Sequence, residues 1–210
     1  ALSPPVLPNR SITTLRNHAA IARCHTSPGD SGGDSTVRVN YCSPKAALLL
    51  LFAATPFLLG ASSLSATFDA RILAAHNRER ASLSIAPLRW NPALASSAQA
   101  WADHLAATGS FEHAPELPTN PEGENLWAGT RGHYSLESRV DAWIRERQFF
   151  KRGTFPENST TGNVEDVGHY TQLIWRDTQH VGCAEATGQR EDVLVCRYSN
   201  AGNYVGENVF

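Results

Sequence analysis

The sequence predicts an α+β fold in which helices come first and a β-hairpin closes the chain. Apolar residues recur at helical spacing over residues 68–83 and 92–108, and again from Leu136 onward. Two β-type runs, "HVGCAEA" (180–186) and "VLVCRYS" (193–199), then flank the turn-forming "TGQRED" (187–192). Helices and a hairpin sharing one core make an α+β arrangement.

The elements follow from the N-terminus. Residues 1–66 of the 210-residue chain hold five Lys/Arg against two Asp, whereas residues 67–210 hold 13 against 18, so the charge balance changes sign at a boundary. That boundary coincides with "KAALLLLFAATPFLLGASSLSA" (45–66). Lys45, the apolar run Ala46–Leu59 and a tail of small residues read as a secretory signal, cleaved between Ala61 and Ala66. Because 44 residues precede it and the sequence has no methionine, residues 1–44 read as a disordered leader from an over-extended gene model. The alternative is a signal anchor with residues 1–44 in the cytosol. The run falls short of the roughly 20 residues a span needs and contains Pro56, so a membrane span is expected only if 45–66 is retained. Both versions send residues 67–210 outward, which predicts a secreted, extracellular domain. Within the leader, "PGDSGGDS" (28–35) imitates the nucleophile loop of chymotrypsin-like proteases. Thirty residues precede Ser31, too few for the two barrels that such a site requires.

In the domain, Thr67 can cap a helix over 68–83, with Phe68, Ile72 and Ala75 on one face. "PLRWNP" (87–92) is a short extended piece. Asn91-Pro92 opens a second helix along Leu94, Ala98, Trp101 and Leu105, which Gly109 stops. A Pro-rich loop (115–121) leads to "GENLWAG" (123–129). Ser135 opens a third helix whose stripe is Leu136, Val140, Trp143, Ile144 and Phe150, and a long loop (151–167) follows. A hairpin centred between Gln189 and Arg190 sets Cys183 opposite Cys196, close enough for a disulfide in an exported chain; two buried free thiols are the alternative. Asn158-Ser159-Thr160 is a glycosylation sequon, with Asn158 as acceptor.

A net charge of −2 gives no basic surface for nucleic acid. The domain has neither an HExxH nor a CxxC metal spacing, and neither a Gly-x-Ser-x-Gly elbow nor a phosphate loop. Among its six histidines, His76 reads as a structural hydrogen-bonder, and His104, His133 and His180 have no suggestive neighbours. His113 follows the second helix, and His169 sits in "VGHYTQLIW" (167–175), where Thr171 and Gln172 abut apolar residues and so need polar partners.

Four ordered motifs, "HNRER" (76–80), "GENL" (123–126), "GHYTQLIWRDT" (168–178) and "VLVCRYSNAGNY" (193–204), resemble those of the cysteine-rich secretory, antigen 5 and pathogenesis-related class 1 superfamily (CAP, or SCP domain). The likeness spans roughly residues 68–209, places the CAP/SCP domain at 67–210 and suggests a secreted member of the fungal type. Asn200 stands where the family usually has proline or a similar turn former, which puts a local turn in doubt. The resemblance implies a three-layer α-β-α sandwich with a cleft lined by two histidines and two acidic residues. Carried over by motif, these are His113 in "FEHAP", Glu124 in "GENL", Glu146 in "WIRERQF" and His169 in "GHYTQ". Such a set suits Zn²⁺ or another divalent cation, and imidazolium–carboxylate pairing satisfies it without metal.

Fungal relatives are associated with binding sterols and other small lipids through an aromatic loop before the His169 motif. The corresponding segment here (148–167) offers Phe149, Phe155 and Pro156 as an apolar lip, although it is longer than the family pattern and carries Lys151, Arg152, Glu165 and Asp166. Family members are often not enzymes, and no nucleophile adjoins the cluster. The expectation is therefore a non-enzymatic binder of a sterol or other small lipid. Two alternatives are a metal-dependent hydrolase using Glu124 or Glu146 as base, and a secreted defence or host–microbe module whose protein partner is unknown.

Overall fold

The computed structural model describes residues 10–13, 67–115 and 121–210. The expected signal segment 45–66, and all of the expected leader except 10–13, lie outside the described residues. Helix α1 (Phe68–Ser82) starts after Thr67, whose hydroxyl bonds the Asp69 carboxylate rather than capping the backbone. Helix α2 (Pro92–Thr108) begins as expected: Asn91 Oδ1 accepts from the N–H groups of Ala93 and Leu94 at 2.8 and 3.3 Å. It closes at Gly109, whose N–H reaches Leu105 O at 2.8 Å. Helix α3 (Leu136–Ile144) is capped by Ser135 and tightens into a 3-10 turn, Arg145–Phe149, so the expected helical stripe ends before Phe150. Helix α4 (Gly168–Leu173) is a six-residue element inside the His169 motif.

Five strands form one sheet in the order β1-β3-β5-β4-β2: β1 Arg10–Thr13, β2 Arg89–Trp90, β3 Gly123–Thr130, β4 His180–Thr187 and β5 Glu191–Ser199. The expected hairpin is β4–β5, and its register sets Cys183 against Cys196, which are joined by a disulfide. Of the expected leader, residues 10–13 are described, as strand β1. They pair antiparallel with β3 from Ala128 to Asn125, taking up backbone groups on an edge that would otherwise lack partners.

Alternation along the strands builds the layers. Leu126, Ala128, Ala184, Val193 and Val195 pack with Ala98, Ala102 and Leu105 of α2 on one face. Trp127, Val181, Cys183, Leu194, Cys196 and Tyr198 face α1, α3 and α4 with Ile72, Val140, Trp143 and Tyr170. The result is the α-β-α sandwich that the resemblance implied. Gly182 lets α2 lie close on the sheet, since a Cβ there would stand 2.2 Å from Ala95 N and 2.5 Å from Asn91 O.

The "HNRER" segment is scaffold. Asn77 brackets Leu88, donating to its carbonyl at 3.0 Å and accepting its N–H at 2.7 Å. Arg80 is fully buried and donates to the carbonyls of Ala86, Leu173, Trp175 and Thr178 at 2.8 to 3.1 Å. His76 is likewise buried, 2.9 Å from both Ile72 O and Tyr198 Oη. A carbonyl can only accept, so Nδ1 carries the proton and Nε2 accepts from the Tyr198 hydroxyl. Tyr198 Oη in turn accepts from Asn125 Nδ2 at 3.2 Å, and Asn125 Nδ2 also donates to His169 O at 3.0 Å.

Burial lowers the His76 imidazole from an ordinary 6.5 to about 4, against a smaller raising effect of the Ile72 bond. The unfolded chain therefore binds a proton that the folded one refuses. Its contribution to stability is complete above about pH 6.5 and falls away toward pH 4, by roughly 3 kcal/mol. Urea unfolding across that window should show His76→Gln less stable than wild type near neutrality but losing less on acidification. Parallel losses in the two proteins would assign the acid sensitivity elsewhere.

Candidate functional site

Each of the four expected residues is found in one of two imidazole–carboxylate pairs. His113, just beyond α2, places Nδ1 2.6 Å from Glu124 Oε1, and the same oxygen accepts the Ala114 N–H at 3.1 Å. His169, in the first turn of α4, places Nδ1 2.5 Å from Glu146 Oε1. Glu146 Oε2 accepts the backbone N–H groups of His169 and Tyr170, both at 3.0 Å, and so caps α4 with a negative charge. Trp143, on α3, lies parallel to the His169 ring at 6.2 Å between centroids.

The supports behind the pairs differ. Glu124 Oε2 is 2.9 Å from Arg197 Nε, its cross-strand partner on β5, and Arg197 also reaches Glu122 at 3.4 Å. Glu146 has backbone donors instead. Neither Arg197 nor Asn125 was singled out from sequence, although the hairpin register would have put Arg197 on the strand face away from Cys196.

Nε2 of His113 and Nε2 of His169 are both shielded from solvent and lack a hydrogen-bond partner. An imidazole that donates through Nδ1 to a carboxylate leaves the Nε2 lone pair available, the arrangement seen behind metal-bound histidines. Each histidine therefore offers one nitrogen of the kind a divalent cation takes. The carboxylates were expected to share in the ligand set, and here the structure differs: both are occupied on Nδ1 and backbone N–H groups. Among the described residues no three His, Cys, Asp or Glu side chains form a group that could hold a metal ion. Alternation along β3 gives the reason. Glu124 points with Leu126 and Ala128 toward α2, whereas Asn125 points with Trp127 toward α4 and fixes His169 O.

The polar residues of the motif find their partners in the last segment. Thr171 Oγ1 donates to Asn203 Oδ1 at 2.6 Å, and Asn203 Nδ2 donates to Gly168 O at 2.9 Å. Gln172 Oε1 accepts the Gly202 N–H at 2.9 Å. Gly123 of "GENL" makes room for this side chain, because a Cβ there would stand 2.1 Å from Gln172 Oε1. Asn200 makes its turn through a cis Ser199–Asn200 peptide, with Asn200 O accepting from Thr178 Oγ1 at 2.7 Å.

The expected lip is only partly present. Phe149 and Pro156 are exposed, but Phe155 is buried edge-on against Trp175 and belongs to the core. The glycosylation expectation at Asn158 is also corrected. Its side chain is wholly buried, with neither amide atom bonded, so a glycan on Nδ2 would have no exit from this loop.

Comparisons with known proteins agree with this architecture. The model of the cysteine-rich secretory protein family, CAP, matches residues 73–198. Pathogenesis-related protein 1A of Nicotiana tabacum is 33% identical over 139 residues, 66% of this chain and 78% of that protein. Protein PRY2 of Saccharomyces cerevisiae is 34% identical over 143 residues, 67% of this chain but 39% of the yeast protein. Among solved structures, one described as NaASP2 with Zn²⁺ superposes with a TM-score of 0.58 at 21% identity, covering 67% of this chain and 83% of that one. BmVAL-1 gives 0.57 at 24% identity, covering 72% and 85%.

Glu146 both orients His169 and caps α4, so Glu146→Ala is expected to cost about 2 kcal/mol in urea unfolding, the scale for leaving a buried ring N–H and backbone N–H groups without their acceptor. Gln148→Ala, an exposed change two residues away, is expected to stay within about 0.5 kcal/mol. Equal small effects would mean that α4 does not depend on this carboxylate.

Proposed function

The chain belongs to the cysteine-rich secretory protein (CAP) family, and from that premise we propose that it is an exported, non-enzymatic binding protein whose cleft takes a divalent cation through Nε2 of His113 and of His169. One observation carries the reading: two buried, unpartnered Nε2 atoms, each on an imidazole whose Nδ1 is held by a carboxylate. Zn²⁺ is the ion that two imidazole nitrogens suit best, and the zinc-bound NaASP2 has the same fold. When bound, the cation would supply a fixed positive charge inside the cleft. Export is supported by the Cys183–Cys196 disulfide, a bond of oxidising compartments.

Turnover is disfavoured by the carboxylates themselves. A metal-dependent hydrolase needs a general base with a free lone pair aimed at water. Glu146 is instead committed through both oxygens to the His169 ring and two backbone N–H groups, and Glu124 Oε1 to the His113 ring and the Ala114 N–H; Glu124 Oε2 makes no hydrogen bond and faces the Arg197 guanidinium at 2.9 Å.

The small hydrophobic ligand, a sterol or similar lipid, is proposed on the exposed part of the lip, Phe149 and Pro156, next to the turn that carries Glu146. The expectation of a fungal-type member is corrected: the relatives matched are led by plant pathogenesis-related proteins, and the yeast protein is covered over only 39% of its length. The pathogenesis-related relatives keep a defence module as the competing reading.

Calorimetric titration of the protein with Zn²⁺ should show one ion per chain at about pH 7.5 and at least about tenfold weaker binding at about pH 5.5, because ligand imidazoles must shed their protons. His113→Ala and His169→Ala should each abolish it. Equal affinity at both pH values, or a single-histidine variant that binds normally, would refute the shared site. For the lipid, saturable binding of a radiolabelled sterol should fall several-fold in Phe149→Glu, and a wild-type protein that takes up no sterol removes this part of the proposal.

A further inference from the structure

Among the described residues only two large hydrophobic side chains are exposed, Phe149 and Val205, and both border one loop. Phe149 O accepts the N–H of Thr160 at 2.8 Å, and Gly206 N, next to Val205, donates to Phe155 O at 2.8 Å. Exposed Pro156 lies between these two anchor points in the loop. The same region concentrates positive charge. In a domain whose formal balance is −5, four of the 13 Lys/Arg fall within residues 145–152. The single carboxylate of that run, Glu146, is turned onto His169 and the start of α4.

Arg145 and Lys151 are exposed and carry no ion pair among the described residues. Arg147 keeps 59% of its side chain exposed while touching Glu79 at 3.3 Å, and the Arg152 guanidinium lies 4.6 Å from the Phe210 ring centroid. A shallow hollow of about 510 Å³ opens beside Ile144, Arg145, Arg147 and Gln148, with Asp141 on its wall. Nearby acidic residues are Glu79, which meets Arg147, Asp141, which pairs with Arg78, and Glu157, Glu165 and Asp166 further along the loop.

We infer that this surface seats the protein on an anionic lipid bilayer, with Phe149 entering the headgroup region and Arg145, Arg147, Lys151 and Arg152 meeting the lipid phosphates. Apolar side chains set singly among cations, with no continuous apolar centre, suit an interface between headgroups and acyl chains. A stable protein interface would instead need an apolar core ringed by polar groups. The attraction is electrostatic and weak, of the kind that basic residues make with acidic leaflets. The inference does not need the cation, and it shares Phe149 with the proposed sterol lip, so vesicle and sterol binding are measured separately.

The test is co-sedimentation of the full chain with vesicles of phosphatidylcholine alone or with phosphatidylserine added. All variants share the apolar run 46–59, so the readout is the difference between the two vesicle types. Wild type should prefer anionic vesicles in low salt and lose the preference in high salt. Arg145→Glu combined with Lys151→Glu should cut the preference at least about tenfold, and Phe149→Ser several-fold, with thermal midpoints unchanged. Persistence of the preference in the charge-reversed protein would overturn the inference. So would a Phe149→Ser variant that binds as wild type while the charge reversal abolishes binding, which is the behaviour of a simple polyanion site. A wild type that binds sterol but ignores vesicle charge would sink this inference alone.

Discussion

The cleft depends on how a six-residue helix is held in place. Helix α4 is too short to be stable by itself, yet it carries His169. Its two ends are fixed by opposite charges. At the N-terminus the Glu146 carboxylate accepts two backbone N–H groups; at the C-terminus the buried Arg80 guanidinium donates to Leu173 O and Trp175 O. Each charge sits where the helix dipole favours it. Arg80 has no carboxylate among the described residues, and burial lowers its pKa to about 10, so it remains a cation at neutral pH. Four carbonyl oxygens stand in for the water it has lost. The same contacts tie α1 to the chain after α4, so the helix order read from sequence and the position of His169 have one cause.

The two imidazole pairs solve one problem by different means. Each carboxylate must be held in position while it orients a ring. Glu146 does this with backbone donors that exist only if α4 has formed, so His169 is ordered by the helix it begins. Glu124 does it with Arg197, which β-sheet register delivers whenever β3 and β5 pair. His113 is thus coupled to the sheet and His169 to the helical layer. A ligand bridging both would lock the two layers together.

Much of this was legible in the sequence, for stated reasons. Helix caps are local, and Asn91-Pro92, Ser135 and Gly109 act where their chemistry predicts. The cysteine pairing followed from the symmetry of a hairpin about its turn, because register is arithmetic once the turn is placed. The pairing of carboxylate to imidazole was not legible, since it rests on which face of β3 each residue takes. Strand β3 itself is buried along nearly its whole length and shows no alternation of polar and apolar residues. Phe155 and Asn158 were misread for a related reason: a loop that folds back on the C-terminal segment buries residues that composition alone makes look exposed. Phe155 is anchored there through its N–H to Glu207 O at 2.8 Å.

The motifs that identify the family are mostly concerned with holding the backbone. His76, Asn77 and Arg80 bond to main chain or to a buried tyrosine, and Thr171, Gln172 and Asn203 lace the start of α4 to the last loop. Among the motif residues Glu124 and His169 form part of the imidazole pairs, with Arg197 and Asn125 supporting them. A likeness built on such residues therefore specifies the sandwich and the position of the cleft far more tightly than what enters it. Discrimination between ligands must come from side chains that the scaffold leaves free, and the stretch from Ile144 to Thr160, with its exposed Phe149, Lys151 and Pro156, is where this chain has them. That stretch also contains Glu146, the carboxylate that orients His169.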